Sequence, residues 1–238
     1  MTAARDRAAS ELEDLESGEE GIARAEERVR EADAALRAVA GRLGDVRSSA
    51  VDGFEERLAE TARDLAMPTA RFAVSRTPLE RGSWTAEGPE RLEFLYAPAA
   101  GEQARPLARI ASGGEISRVM LALKSVLGTA DPVPVLVFDE IDAGIGGATA
   151  VAVGRRLKAL AAGRQVLVIT HLAQVAAFAD GHLVVEKSER DGRAHTAVRT
   201  ASGEERIVEL ARMLSGSSSE ASLTHARELL AASADPAV

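Results

Sequence analysis

Cysteine is absent from the 238 residues, which excludes disulfides and thiolate metal sites. Aromatic side chains are scarce, 3% against 46% apolar residues overall, so a core is possible but must be aliphatic. Lysine is nearly missing as well. Lys124, Lys158 and Lys187 are the only three, beside 26 arginines, a bias that reads as genomic base composition. None of the three follows a glycine, so the Gly-Lys-Ser/Thr of a phosphate-binding loop is lacking. Positive charge is not in excess anywhere. The net charge is −8, of which residues 1–66 carry −7 and the remainder −1. Neither part has the basic surplus of a stand-alone DNA binder, so DNA contact would need local patches or other segments. No apolar run reaches the roughly 18 residues that cross a membrane, and the charged, polar start is unlike a signal peptide. The expected location is the cytoplasm, without membrane partners.

What is present begins with a heptad. Over residues 5–47, Leu15, Ile22, Val29, Leu36 and Leu43 recur every seven positions, with Gly18, Ala25, Ala32, Val39 and Val46 three further on. These are a and d positions of a coiled-coil seam. The small d side calls for a partner helix. The phase slips by one near Gly44 and resumes at Val51, Phe54, Leu58 and Leu65, until Met67-Pro68 stops the helix. About 60 residues at 1.5 Å each give an arm of roughly 90 Å. A long surface helix on a globular domain is the plainer alternative. The expected division is an arm at 1–66 and a compact lobe at 67–238.

Within the lobe, residues 71–75 and 91–96 alternate like strands. Helices are expected at 115–128 and 147–162, and short buried strands at 133–138 and 165–170. A short helix runs to Phe178. Strands at 182–187 and 195–200 join across Asp191-Gly192, and helices near 204–214 and 219–232 follow. Strands alternating with helices argue for a parallel α/β layer.

Three places carry chemistry. Ser112-Gly113-Gly114-Glu115 opens a helix. Its unpaired N–H groups and positive dipole end suit an anion such as phosphate, although the same residues also make a plain loop and cap. Asp139-Glu140 closes an apolar strand, at the sheet edge where open α/β folds bind ligands. An Asp there can hold Mg²⁺ and a Glu can polarise water; a solvated strand end is the alternative. His171 closes the next apolar strand, where a histidine is either structural or catalytic.

Order and spacing join the three. Ser112 precedes Asp139 by 27 positions, Glu140 precedes His171 by 31, and Asp142 follows the acidic pair. The set resembles the second half of an ABC-type ATPase: signature motif, Walker B, D-loop and switch histidine. A coiled coil running into the signature lobe resembles SMC-like members, not transporters. The wording at 111–124, 138–147, 170–180 and 209–216 is similar to the RecN family, with Gly146-Gly147 replacing the usual Leu-Asp. The likeness spans the chain and is most specific over 105–216.

The resemblance implies an α/β fold, the C-terminal lobe of an ABC/SMC-type P-loop ATPase head preceded by one long coiled-coil helix. It implies ATP hydrolysis by a homodimer of face-to-face heads, with ATP and Mg²⁺, in repair of DNA double-strand breaks on the nucleoid. It also implies roles. Asp139 would hold Mg²⁺, Glu140 would be the general base and His171 would meet the γ-phosphate. Ser112, Gly113, Gly114, Glu115 and Asp142 would bind nucleotide, the first three reaching ATP on the opposite head. The family keeps its P-loop and Q-loop before its coiled coil. The chain departs from the family there, so Met1 reads as an internal start. Its own N-terminal half, a P-loop lobe with the ascending arm, is the expected partner. Another SMC-like chromosome or repair ATPase, a transporter subunit, and a non-enzymatic dimerisation fragment are the alternatives.

Overall fold

A computed structural model describes residues 2–110, 112–190 and 193–234, with side chains in the first helix from residue 18 onward. The chain divides into two compact units, Met1–Asp52 with Arg76–Leu92, and Gly53–Ser75 with Glu93–Val238.

Helix α1 spans Thr2–Asp64. Alanine, glutamate and arginine dominate it, all strong helix formers, and exposed pairs such as Arg37 Nε to Asp33 at 2.6 Å decorate its surface. It stops where Ala66 turns left-handed (φ 62°) and the Met67 N–H reaches back to the Ala62 carbonyl at 3.1 Å. That bond is the six-to-one closure of a Schellman cap. Pro68 then prevents continuation.

In the first unit, Ile22, Val29, Leu36, Val39 and Val46 of the seam are exposed. Leu15 lies outside the residues whose side chains are described. Leu43 is different. Gly88, at φ +115°, passes so close that a Cβ there would lie 2.7 Å from Leu43 Cδ2. Arg76 fastens the same stretch, donating to Glu90 at 2.7 Å, to Ser48 Oγ at 2.6 Å and to the Gly44 carbonyl at 3.0 Å. The expected slip in phase near Gly44 therefore falls where residues 76–92 replace a helix as the neighbour of α1.

β1 (Arg71–Pro78), β2 (Glu90–Ala97) and the short β3 (Arg105–Pro106) form a sheet in that order. Then come α2 (Gly113–Leu127), β4 (Val135–Phe138), α3 (Gly147–Ala161), β5 (Gln165–Val168) and α4 (Ala173–Ala176). Strands β4 and β5 pair in parallel, from Val135 opposite Gln165 to Phe138 opposite Val168. A hairpin of β6 (His182–Arg190) and β7 (Arg193–Ala201) precedes α5 (Gly203–Ser215) and α6 (Glu220–Ala234). The expected Asp191-Gly192 turn lies outside the described residues.

The core is aliphatic, as the composition requires. Leu58 of α1 and Leu65 just past its end join Val119, Leu121, Leu136, Phe138, Ile141, Val153 and Leu157. A second cluster unites Leu210, Ala211, Ala226 and Ala173.

Two expectations change. The strands do not form a single parallel layer: β4–β5 is parallel, but β2–β3 and β6–β7 are antiparallel and lie in separate sheets. Nor are β4 and β5 buried on both faces. Leu136 and Phe138 point into the core shared with α2 and α3. On the other face Val137 is 65% exposed and, just beyond β5, Ile169 is 60% exposed, with Val135 and Leu167 beside them. Helices cover one face of this pair, and no described residue covers the other.

Candidate functional site

The site forms where the N-terminus of α2 meets the loops leaving β4 and β5. Ser112 has extended backbone and accepts the Glu115 N–H on its side-chain oxygen at 3.4 Å, which caps α2. Ala111, the residue before it, lies outside the described residues. Glu115 does not return the cap. Its Oε1 accepts the Tyr96 hydroxyl at 2.6 Å, tying α2 to β2. Burial, and then the Glu115 carboxylate, hold the Tyr96 hydroxyl well above its ordinary pKa.

Gly114 is required by close approach, and Gly113 lies against the Glu140 side chain. A Cβ on Gly114 would lie 2.7 Å from Ala143 Cβ and 2.9 Å from the Glu140 carbonyl. A Cβ on Gly113 would strike Glu140 Oε2 at 1.9 Å. The Glu140 carboxylate thus rests on the first turn of α2, where the helix dipole favours negative charge. The anion expected at this end of α2 is, in this structure, the chain's own side chain.

Asp139 and Glu140 leave the end of β4 exposed to solvent. Asp139 Oδ1 accepts the Glu140 N–H at 2.9 Å, and Glu140 takes a left-handed backbone with φ 55°. Helix α2 grips this loop twice. Ser117 Oγ donates to the Asp139 carbonyl at 2.6 Å, and Arg118 Nη1 donates to the Ala143 carbonyl at 2.8 Å. Burial pulls the Arg118 pKa below its ordinary value.

Asp142, expected among the nucleotide contacts, accepts hydrogen bonds from residues 170 and 171. It is only 5% exposed, and its Oδ2 accepts the Thr170 hydroxyl and the His171 backbone N–H at 2.9 Å, with His171 Nδ1 3.0 Å away. The carboxylate is buried because it satisfies donors of the switch segment. The His171 side chain itself is 75% exposed, and Ile169 N–H to the Phe138 carbonyl, 3.0 Å, carries the ladder to its base. The structure thus gathers Ser112, Gly113, Gly114, Asp139, Glu140, Asp142 and His171 around one loop, residues 139–145. Tyr96, Ser117, Arg118 and Thr170 were not singled out from sequence. Only Thr170 offered a signal, a hydroxyl directly before the histidine at a strand end.

Among the described residues no group of three or more His, Asp or Glu is arranged to hold a metal ion. Asp139 alone suits Mg²⁺, which commonly takes one or two protein carboxylates and completes its shell with phosphate and water oxygens. No described helix is long and apolar enough to cross a membrane.

The chain matches no protein-family model. It is 46% identical over 208 residues to the DNA repair protein RecN of Streptomyces coelicolor, covering 83% of this chain and 36% of that protein. It is 46% identical over 225 residues to RecN of Deinococcus radiodurans, covering 94% of this chain and 39% of that protein. The match is to their C-terminal part, and the chain spans about two fifths of their length. Among solved structures, the Smc head domain with a coiled coil and joint from Pyrococcus yayanosii overlays with a TM-score of 0.45 at 27% identity, covering 67% of this chain and 28% of that one.

Proposed function

This chain belongs to the RecN family, and on that premise we propose that it forms the signature-bearing lobe, with its descending arm, of an ATP hydrolase that works on broken DNA. The arm is residues 1–66 and the lobe residues 67–238. One observation carries the reading. Asp139 and Glu140 at the end of β4, His171 just past the end of the neighbouring parallel strand β5, and the N-terminus of α2 all converge on one loop.

The roles follow from the chemistry of each position. Asp139 keeps Oδ2 for Mg²⁺. Glu140 is the general base for water. His171 meets the γ-phosphate, and Asp142 belongs to the pocket by holding the switch segment. Ser112, Gly113, Gly114 and Glu115 present the end of α2 to ATP carried by a second head, so that nucleotide joins two copies. Bound Mg-ATP supplies the phosphoanhydride and the charge that neutralises it.

These 238 residues contain no Gly-Lys-Ser/Thr loop, so the phosphates are cradled by residues outside them, a P-loop lobe with an ascending arm. The bare face of β4–β5, with Val135, Val137, Leu167 and Ile169, supports a second layer of that kind. The lone seam of α1 supports the ascending arm. The assembled protein is expected on DNA, in the cytoplasm.

The test is ATP turnover by a complete RecN-length protein that carries this chain. Glu140→Gln slows turnover about 10²- to 10⁴-fold, the usual worth of a positioned base, while filter-retained ATP is unchanged. Turnover equal to wild type would remove Glu140 from the reaction.

A further inference from the structure

We propose that Asp142 is a positioning residue that fixes the tautomer and aim of His171. The inference rests on the reading of His171 as the residue that faces phosphate. Asp142 is buried in the turn 140–143, which is closed by the Ala143 N–H on the Glu140 carbonyl at 3.0 Å. Its Oδ2 lies 3.0 Å from His171 Nδ1 and 2.9 Å from the His171 N–H. An ionised carboxylate only accepts hydrogen bonds, whereas a neutral imidazole carries one N–H and one bare nitrogen. A bare nitrogen 3.0 Å from a carboxylate oxygen would set two lone pairs against each other, so charge favours the proton on Nδ1. Nε2 is left bare, on a side chain that is otherwise open to solvent.

A hydrogen bond from the His171 backbone N–H to the same oxygen sets the ring's base beside the carboxylate. Thr170 adds a third donor and in turn accepts the Leu172 N–H at 3.0 Å, which fixes the backbone on either side of the ring. An outward-facing Nε2 can take a proton and then donate it in a hydrogen bond to an anionic oxygen. A ring protonated at Nε2 and free to rotate would not be held for that task. The arrangement matches a recurrent device in which a carboxylate behind a histidine selects the nitrogen that works. The carboxylate acts through the ring and does not touch the nucleotide.

The experiment needs no nucleotide, so its outcome is independent of the Glu140→Gln result. The full chain, labelled with ¹⁵N in its four histidines, is read by long-range proton–nitrogen correlation at about pH 9, above the ordinary imidazole range. His171→Gln assigns the signals. The expected wild-type spectrum has His171 as a single Nδ1–H form. Asp142→Ala replaces it by a mixture rich in Nε2–H, and Thr170→Ala leaves the Nδ1–H form in place. An Nε2–H ring in the wild type overturns the proposal, even if Asp142→Ala does not fold. So does a folded Asp142→Ala chain with unchanged His171 signals. So does loss of the Nδ1–H form in Thr170→Ala, which would make turn geometry and not the carboxylate the cause.

Discussion

Ser112 stands where backbone, not side chain, has to meet its neighbours. Its hydroxyl is spent on the cap of α2, and Gly114 two positions on leaves no room even for a methyl group. In a complete RecN-length protein, Ser112→Arg therefore blocks the approach of a second head without touching the residues that hold each head's own ATP. Glu140→Gln acts later, on water, and leaves that approach open. Light scattering with Mg-ATP separates the two: Glu140→Gln accumulates as an ATP-stabilised dimer, and Ser112→Arg stays monomeric with nucleotide bound. Equal association of both variants would refute the role given to residues 112–114. Residue types and spacing were enough to mark Ser112, Asp139, Glu140 and His171. They could not reveal that Glu140 lies on Gly113, or that Asp142 turns inward to a segment 29 positions away. Those facts depend on how two loops meet in space, and nothing local in either loop encodes it.

At the scale of elements, α1 shows the same division. Its heptad and Pro68 were legible, because a seven-residue repeat and a missing N–H are local properties. Its last turn was not, because alanine is the best helix former and gives no sign of stopping. Ala66 is left-handed, and the Met67 that follows it is buried in the core. The conformation costs an L-residue about 1–2 kcal/mol, and glycine adopts it freely. Ala66→Gly, despite its looser unfolded chain, is expected to stabilise the lobe by up to about 1 kcal/mol, a rise in Tm of about 2–4 °C for a chain of this size. A thermal melt followed by circular dichroism measures it; a lower Tm would mean that the left-handed turn is not the strained point. Likewise α2 starts two residues before the expected 115, because Ser112 caps it and the glycines tolerate the first turn.

At the scale of the molecule, an acidic strand end and a neighbouring histidine are present without a Gly-Lys-Ser/Thr loop. The purified 238-residue chain is expected to release no phosphate from ATP above the background of its own Glu140→Gln variant. Turnover that Glu140→Gln abolishes in this chain alone would contradict the assignment of the cradle to residues outside it. The α/β class was readable from strands alternating with helices. The one-sided sheet was not, because Val135 and Val137 are as apolar as Leu136 and Phe138, and an apolar run looks doubly covered whether or not the second cover is in the same chain.

That uncovered face also sets the order of events when the chain folds. Closing α2 and α3 over Leu136 and Phe138 is unimolecular, at a rate indifferent to concentration. Meeting another chain through Val135, Val137, Leu167 and Ile169 is bimolecular and quickens with every molecule added. The uncharged β-branched segments that carry these residues are of the kind that stack into intermolecular strands. Folding of the chain is thus a kinetic competition whose winner is decided by dilution, and finishing the fold does not end it, since the native state still displays the surface on which association begins.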